Sequence, residues 1–203
     1  MEIEFGKQTM KFNKELNALD MLAIDFCRVL NPIGISYVII SGYIAILFGR
    51  NRASEDIDIF IEKMDKAKFS KLWNSLKENS FICINADVDE AFSLLEDGLA
   101  PRFAKTGEAM PNMEVKFPKT DLDFYSLKNR IKVDLNQNIL YIGPLELNIA
   151  FKLFIGSEKD IEDARFQYKL FQEKLDTEKL KFFINQLKVT ERAEKYLWKT
   201  TKT

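Results

Sequence analysis

The spacing of apolar residues changes along the chain, and those changes predict its elements. Leu16, Leu19, Leu22, Ala23, Phe26, Val29 and Leu30 recur at helical spacing, predicting a helix over 16–30 that Pro32 and Gly34 stop. A short apolar strand over 36–40 follows. Ser41-Gly42 ends it, and 43–48 is long enough for a two-turn helix before Gly49. From 56 to 61 the pattern alternates, with Ile57, Ile59 and Ile61 on one face and Asp56, Asp58 and Phe60 on the other, as a strand requires.

A lysine-rich amphipathic helix over 65–77 leads to a strand over 81–85, then to a helix opened by the capping pattern Asp87-x-x-Glu90. The stretch 98–112 reads as loop. Strand signals then crowd together at 113–117, at 122–126, and in a hairpin of 131–135 with 139–142 around Asn136-Gln137-Asn138. Beyond Pro144 the pattern is helical, over 145–155, 158–171, 177–187 and 190–199. The expected architecture is α/β (α+β): a small mixed sheet flanked by helices over 1–143, then a C-terminal helical bundle over 144–203.

Composition changes the picture mainly by exclusion. The 203 residues contain no histidine, which removes imidazole bases, Ser-His-Asp triads and HExxH metal sites. Cys27 and Cys83 are too few and too far apart for a structural zinc site or a CxxC redox pair. Acid–base or metal chemistry therefore rests on the 31 Asp and Glu residues. A net charge of −1 creates no overall pull toward nucleic acid or membrane. The N-terminus lacks a signal-peptide pattern, and the longest nearly apolar run, 37–48, is far short of the ~20 residues of a membrane span. A cytoplasmic protein without membrane contact is expected.

The chemistry concentrates in 40–61. A glycine just past a strand lets the amides of the next helix approach a phosphate, and Ser41 can add a hydroxyl. Asp56 and Asp58, two apart on a strand, project from one face about 6.5 to 7 Å apart, close enough to share a magnesium ion. Two carboxylates brought to ~4 Å repel by about 4 kcal/mol at an effective dielectric of 20, so the pair calls for a cation, basic neighbours or full solvation. The plain alternative is an edge strand with a solvated acidic face. Gly42 precedes Asp56 by fourteen residues, room for a short helix that returns the chain beside the turn.

Ser41-Gly42 followed by Arg52-Ala53-Ser54-Glu55-Asp56-Ile57-Asp58 resembles the nucleotidyltransferase superfamily that includes DNA polymerase beta, whose signature is a Gly-Gly or Gly-Ser turn and then Asp-x-Asp. The turn departs from that pattern by placing serine before glycine. The resemblance implies a transfer of a nucleoside monophosphate from an NTP to a hydroxyl, with Mg2+, one ion or two. Asp56 and Asp58 would hold metal, and Ser41, Gly42, Arg52 and Ser54 would bind the nucleotide. It also implies a third carboxylate from a neighbouring strand. Asp123, in Leu122-Asp123-Phe124, is the first choice as catalytic and metal-binding residue, with Asp121 and Asp134 as alternatives.

The run from Leu145 through Lys152 to Lys159-Asp160-Ile161-Glu162-Asp163 resembles the AbiEii-type abortive-infection nucleotidyltransferases. That implies nucleotide-site roles for Lys152 and Asp163, an RNA, tRNA or protein acceptor, and a place in a toxin–antitoxin pair. Ser157-x-x-Asp160 also reads as a helix cap, and Lys152 as a residue of a solvated face. Two rival readings are a catalytically idle nucleotide- or RNA-binding module of the same fold and a purely structural interaction protein. The first draws on residues 164–203, where ten Lys or Arg stand against five Asp or Glu, a surplus of +5, with Phe182, Phe183, Tyr196 and Trp198 interleaved.

Overall fold

The structure is a computed structural model, which describes residues 2–198. Among these, nine strands form one mixed sheet: β1 (Glu4–Gly6), β2 (Thr9–Phe12), β3 (Tyr37–Ile39), β4 (Asp56–Ile61), β5 (Phe81–Cys83), β6 (Arg102–Lys105), β7 (Asn112–Lys116), β8 (Ile131–Leu135) and β9 (Asn138–Ile142). Their order is β1-β2-β8-β9-β3-β4-β7-β6-β5, so β4 lies inside the sheet between antiparallel β3 and parallel β7.

The helices are α1 (Ala18–Ile33), α2 (Gly42–Leu47), α3 (Lys66–Glu78), α4 (Val88–Glu96), α5 (Asp121–Lys128), α6 (Leu145–Ile155), α7 (Glu158–Phe171), α8 (Thr177–Gln186) and α9 (Thr190–Ala193). A π-helical turn over Glu194–Trp198 continues α9; Lys199, the last residue of the helix expected over 190–199, lies outside the described residues.

Alternation decides which sheet face becomes core. Ile57, Ile59 and Ile61 are fully buried. Ile57 pairs with Met113 and Met113 with Phe103, and this row packs on Phe26 of α1, whose ring meets Phe103 at 6.0 Å. The opposite face carries Asp56, Asp58 and Phe60, all half-buried. Helix α1 starts at a capping box between Asn17 and Asp20 and ends at Gly34 in the left-handed conformation. It runs through Pro32 and ends one residue later, so the glycine sets its end and the proline does not.

Helices α6 and α7 span the residues expected, and α6 packs on both α7 and α8. Of the interleaved aromatics, Phe183 is core while Phe182 is exposed. No described helix is long and apolar enough to cross a membrane.

Two expectations are corrected. The stretch 98–112 is not all loop, since Arg102–Lys105 pairs between β5 and β7. The segment 122–126 is helix rather than strand: Thr120 caps α5 by accepting from the Asp123 amide, and the Asp123 carboxylate accepts from the amides of Lys119 (3.0 Å) and Thr120 (2.9 Å). Thr120-x-x-Asp123 is a capping box in which aspartate replaces the usual glutamate, and its donors at the helix start outweigh the apolar–polar alternation of Leu122-Asp123-Phe124. Asp123→Ala is expected to lower unfolding free energy by about 0.5–2 kcal/mol, read by chemical denaturation.

Candidate active site

Strand β3 delivers the chain to Ser41, which adopts φ 64 and ψ −133, a region L-residues seldom enter. The conformation is held from outside: the Ser41 amide donates to Asn148 Oδ1 of α6 at 3.2 Å, and Asn148 in turn donates to Gln167 of α7 at 2.9 Å. The hydroxyl of Tyr43 donates to buried Asp20 at 2.8 Å, which fastens α2 to α1. Gly42 is required by a close approach. A Cβ there would lie 2.5 Å from Nη2 of Arg52, whose guanidinium rests against the turn.

Arg52 is held on two sides. Its Nη1 donates to Asp163 Oδ2 at 2.8 Å, and its Nη2 to Ser54 Oγ at 3.2 Å; the Ser54 hydroxyl in turn donates to the Asp56 carbonyl at 3.2 Å. Its side chain is only 9% exposed, and its Nε has no hydrogen-bond acceptor among the described residues. Burial and neighbouring Arg50 lower its pKa from the ordinary value, and Asp160 and Asp56 oppose that.

Asp163 is fully buried and serves three cations: Arg50, Arg52 and, at 3.2 Å, Lys152. Arg50 also pairs with Glu162. Lys152 is 3% exposed and reaches Asp160 at 2.6 Å, so it lies in the interior rather than on a solvated face. Burial lowers its pKa and Asp160 works against that. Asp160 both belongs to the Ser157 cap and pairs with Lys152. Ser41, Gly42, Arg52, Ser54, Lys152 and Asp163 are therefore one connected assembly.

The acidic part of the site is a row across the sheet. Register pairs Asp58 with Glu114 and Glu114 with Arg102; one pleat further on, Phe60 pairs with Lys116. Lys116 Nζ reaches back to Asp58 Oδ1 at 2.6 Å and to Glu114 Oε2 at 3.1 Å, while Arg102 meets Glu114 Oε1 at 2.6 Å. Burial pushes up the pKa of Glu114, but Lys116 and Arg102 outweigh it and hold the group below its ordinary value. Asp56 behaves oppositely: burial, then the charges of Asp58 and Glu114, raise its pKa.

The strand-neighbour carboxylate is thus Glu114, which the sequence reading missed. Asp123 sits instead in the first turn of α5, with Asp121 beside it, exposed, and Asp134 lies on β8, with β9 and β3 between its strand and β4. The pattern Asn112-Met113-Glu114-Val115-Lys116 alternates as cleanly as 56–61 and could have revealed it, had β7 been recognised as the partner of β4. Among the described residues no three His, Cys, Asp or Glu side chains form a ready-made metal cluster. Asp56 and Asp58 on one strand face remain the pair suited to a hard divalent cation.

Beside this site lies a cleft of about 270 Å³, bounded by Ser41, Phe60, Asp123, Phe151, Phe154 and Leu187 among others. Phe151 and Phe154 are partly exposed, with ring centroids 5.9 Å apart. The lining is mostly apolar and runs from the Ser41 turn toward the C-terminal helices.

Two measurements check this description. Asp163→Ala removes a buried carboxylate shared by three cations; Arg50 keeps Glu162 and Lys152 keeps Asp160, but Arg52 loses its one carboxylate partner among the described residues, and the expected cost is about 3–5 kcal/mol of stability in chemical denaturation. Asp56→Asn removes a like-charge clash, so its melting temperature at pH 7 without divalent ions should exceed that of the parent chain. Because the folded-state pKa of Asp56 lies above 3.8, the penalty is present above that folded pKa; the advantage of the variant should shrink as pH falls through it toward 3.8.

No protein-family profile matches the chain, and no curated protein does. Solved structures do. An antigenic nucleotidyltransferase-like protein from Paracoccidioides brasiliensis superposes with TM-score 0.54 at 17% identity, over 88% of this chain and 91% of that one. The antibiotic-resistance factor ANT(2'')-Ia gives 0.52 at 10% identity, over 89% and 96%. At this identity the likeness concerns architecture: the chain has a nucleotidyltransferase-like fold.

Proposed function

We propose that this chain is a magnesium-dependent nucleotidyltransferase that moves a nucleoside monophosphate from an NTP to a hydroxyl. The observation that carries the reading is Arg52: a buried guanidinium laid against the Gly42 turn, with an unsatisfied Nε donor, beside a strand face bearing Asp56 and Asp58. A buried donor without an acceptor is costly unless a ligand completes it, and an anion is the natural complement of a guanidinium. The likeness in fold to the nucleotidyltransferase-like protein from Paracoccidioides is consistent with nucleotide chemistry on this scaffold.

Arg52, with Lys152 behind it, would neutralise the polyphosphate tail, and the Ser41–Gly42 backbone would let it approach closely. Asp56 and Asp58 fit a magnesium ion that keeps waters and takes its remaining ligands from phosphate. That ion would supply charge neutralisation and lower the pKa of the attacking hydroxyl. Asp163 would not touch substrate; it fixes Arg52 and Lys152. Asp56 is better suited than Glu114 to receive the hydroxyl proton, because two cations already hold Glu114. The base would lie in the cleft over Phe60 and Phe151. Lys152 and Asp163 also carry the resemblance to the AbiEii-type enzymes, and on that resemblance rests the proposal of an RNA, tRNA or protein acceptor and a toxin–antitoxin setting.

Each NTP with Mg2+ should be tried first in thermal shift, where a ligand at 100 times its Kd adds about 2.7 kcal/mol, then in radiolabel transfer onto RNA and protein extracts. Transfer is expected, with Asp58→Asn folded and at least about 100-fold slower. Binding without transfer would identify an idle nucleotide-binding module; neither binding nor transfer would reject the reading.

A further inference from the structure

This inference rests on the reading of Asp56 and Asp58 as a cation site, and concerns how many ions that site takes. The charges on the open face of the central strands are three carboxylates, Asp56, Asp58 and Glu114, and two cations, Lys116 and Arg102. They are not scattered. Register places Asp58, Glu114 and Arg102 side by side on β4, β7 and β6, and Lys116 folds back over the first two. Its ammonium touches both carboxylates that sit on adjacent strands, the position from which a bridging ion would bind them. Asp56, by contrast, has no cation at ion-pair distance among the described residues, and Lys116 engages Oδ1 of Asp58 rather than both of its oxygens.

We infer that Lys116 is a built-in counter-cation that takes the place of a second metal ion, so that the site accepts one divalent cation, on Asp56 and Asp58, and not two. The physical reason is occupancy: the place between Asp58 and Glu114 is already filled by the Lys116 ammonium, while Asp56 and the second oxygen of Asp58 are left for a cation. A second divalent ion between Asp58 and Glu114 would have to displace an ammonium that is already hydrogen-bonded to both. An ammonium differs from a metal in keeping its place without exchange, and in offering hydrogen bonds from a fixed stem rather than open coordination positions. Lys116 would therefore hold Asp58 and Glu114 in register before any ligand arrives. Its role is positioning and charge balance.

The test counts ions and needs no turnover. The full chain is dialysed against Mn2+ and inorganic tripolyphosphate, which carries the phosphate chain of any NTP whatever its base, and bound Mn2+ is counted by electron paramagnetic resonance. One Mn2+ per chain is expected for the parent and for Lys116→Arg, and two for Lys116→Gln, with circular dichroism confirming that each variant is folded. Two ions in the parent would overturn the inference while leaving the nucleotide reading intact. One ion in folded Lys116→Gln would also overturn it, since the lysine would then not limit the count. No bound Mn2+ in the parent would overturn both, and the parent count stands even if the glutamine variant does not fold.

Discussion

The carboxylate of Asp163 is the point that ties α6 and α7 to the segment between α2 and β4. It is fully buried on α7 and meets Arg50 and Arg52 from the segment between α2 and β4, and Lys152 from α6. A charge removed from water is tolerated only when fully compensated, so these contacts fix α6 and α7 against the turn and not merely near it. Asn148 extends the same constraint, holding the Ser41 amide from α6 while Gln167 holds Asn148 from α7. Ser41 keeps its strained backbone because neighbours on other elements over-determine it.

The site is thus assembled from two kinds of electrostatic structure with different logic. The dry cluster around Asp163 is internally balanced and positions two cations, one of which, Arg52, retains an unused donor. The wetter row on the sheet face is left partly unbalanced: burial, then Asp58 and Glu114, raise the pKa of Asp56, while Lys116 and Arg102 lower that of Glu114 against its burial. Unequal treatment of adjacent acids is a common signature of a working site, where stability is given up for chemistry. Here it separates Asp56 from Glu114, although both project from the same sheet face.

How far the sequence could be read depended on the range of the interaction responsible. Strand β4 and helices α6 and α7 were legible because alternation and helical spacing express burial directly. The hairpin of β8 and β9 was legible from its polar link, which closes on Asn136 and Gln137 in left-handed conformation. The helix over 121–128 was misread because a threonine–aspartate cap competes with an alternating pattern three residues long, and the sequence alone does not weigh a local hydrogen bond against a distant sheet. Strand β6 was missed because its Arg-Phe-Ala-Lys run is short, and pairing with β5 on one side and β7 on the other, rather than composition, makes it a strand.

By itself the sequence determined the chemical repertoire: no imidazole, a serine–glycine turn, two aspartates on one strand face, and a lysine and an aspartate on successive helices. Those follow from residue identity and from the two-residue period of an extended chain. Only the tertiary structure decided that the acid beside them is Glu114, that Lys116 closes over it, and that Arg52 lies against Gly42. The register that sets Glu114 beside Asp58 joins segments more than fifty residues apart in the chain, and no local pattern encodes that pairing.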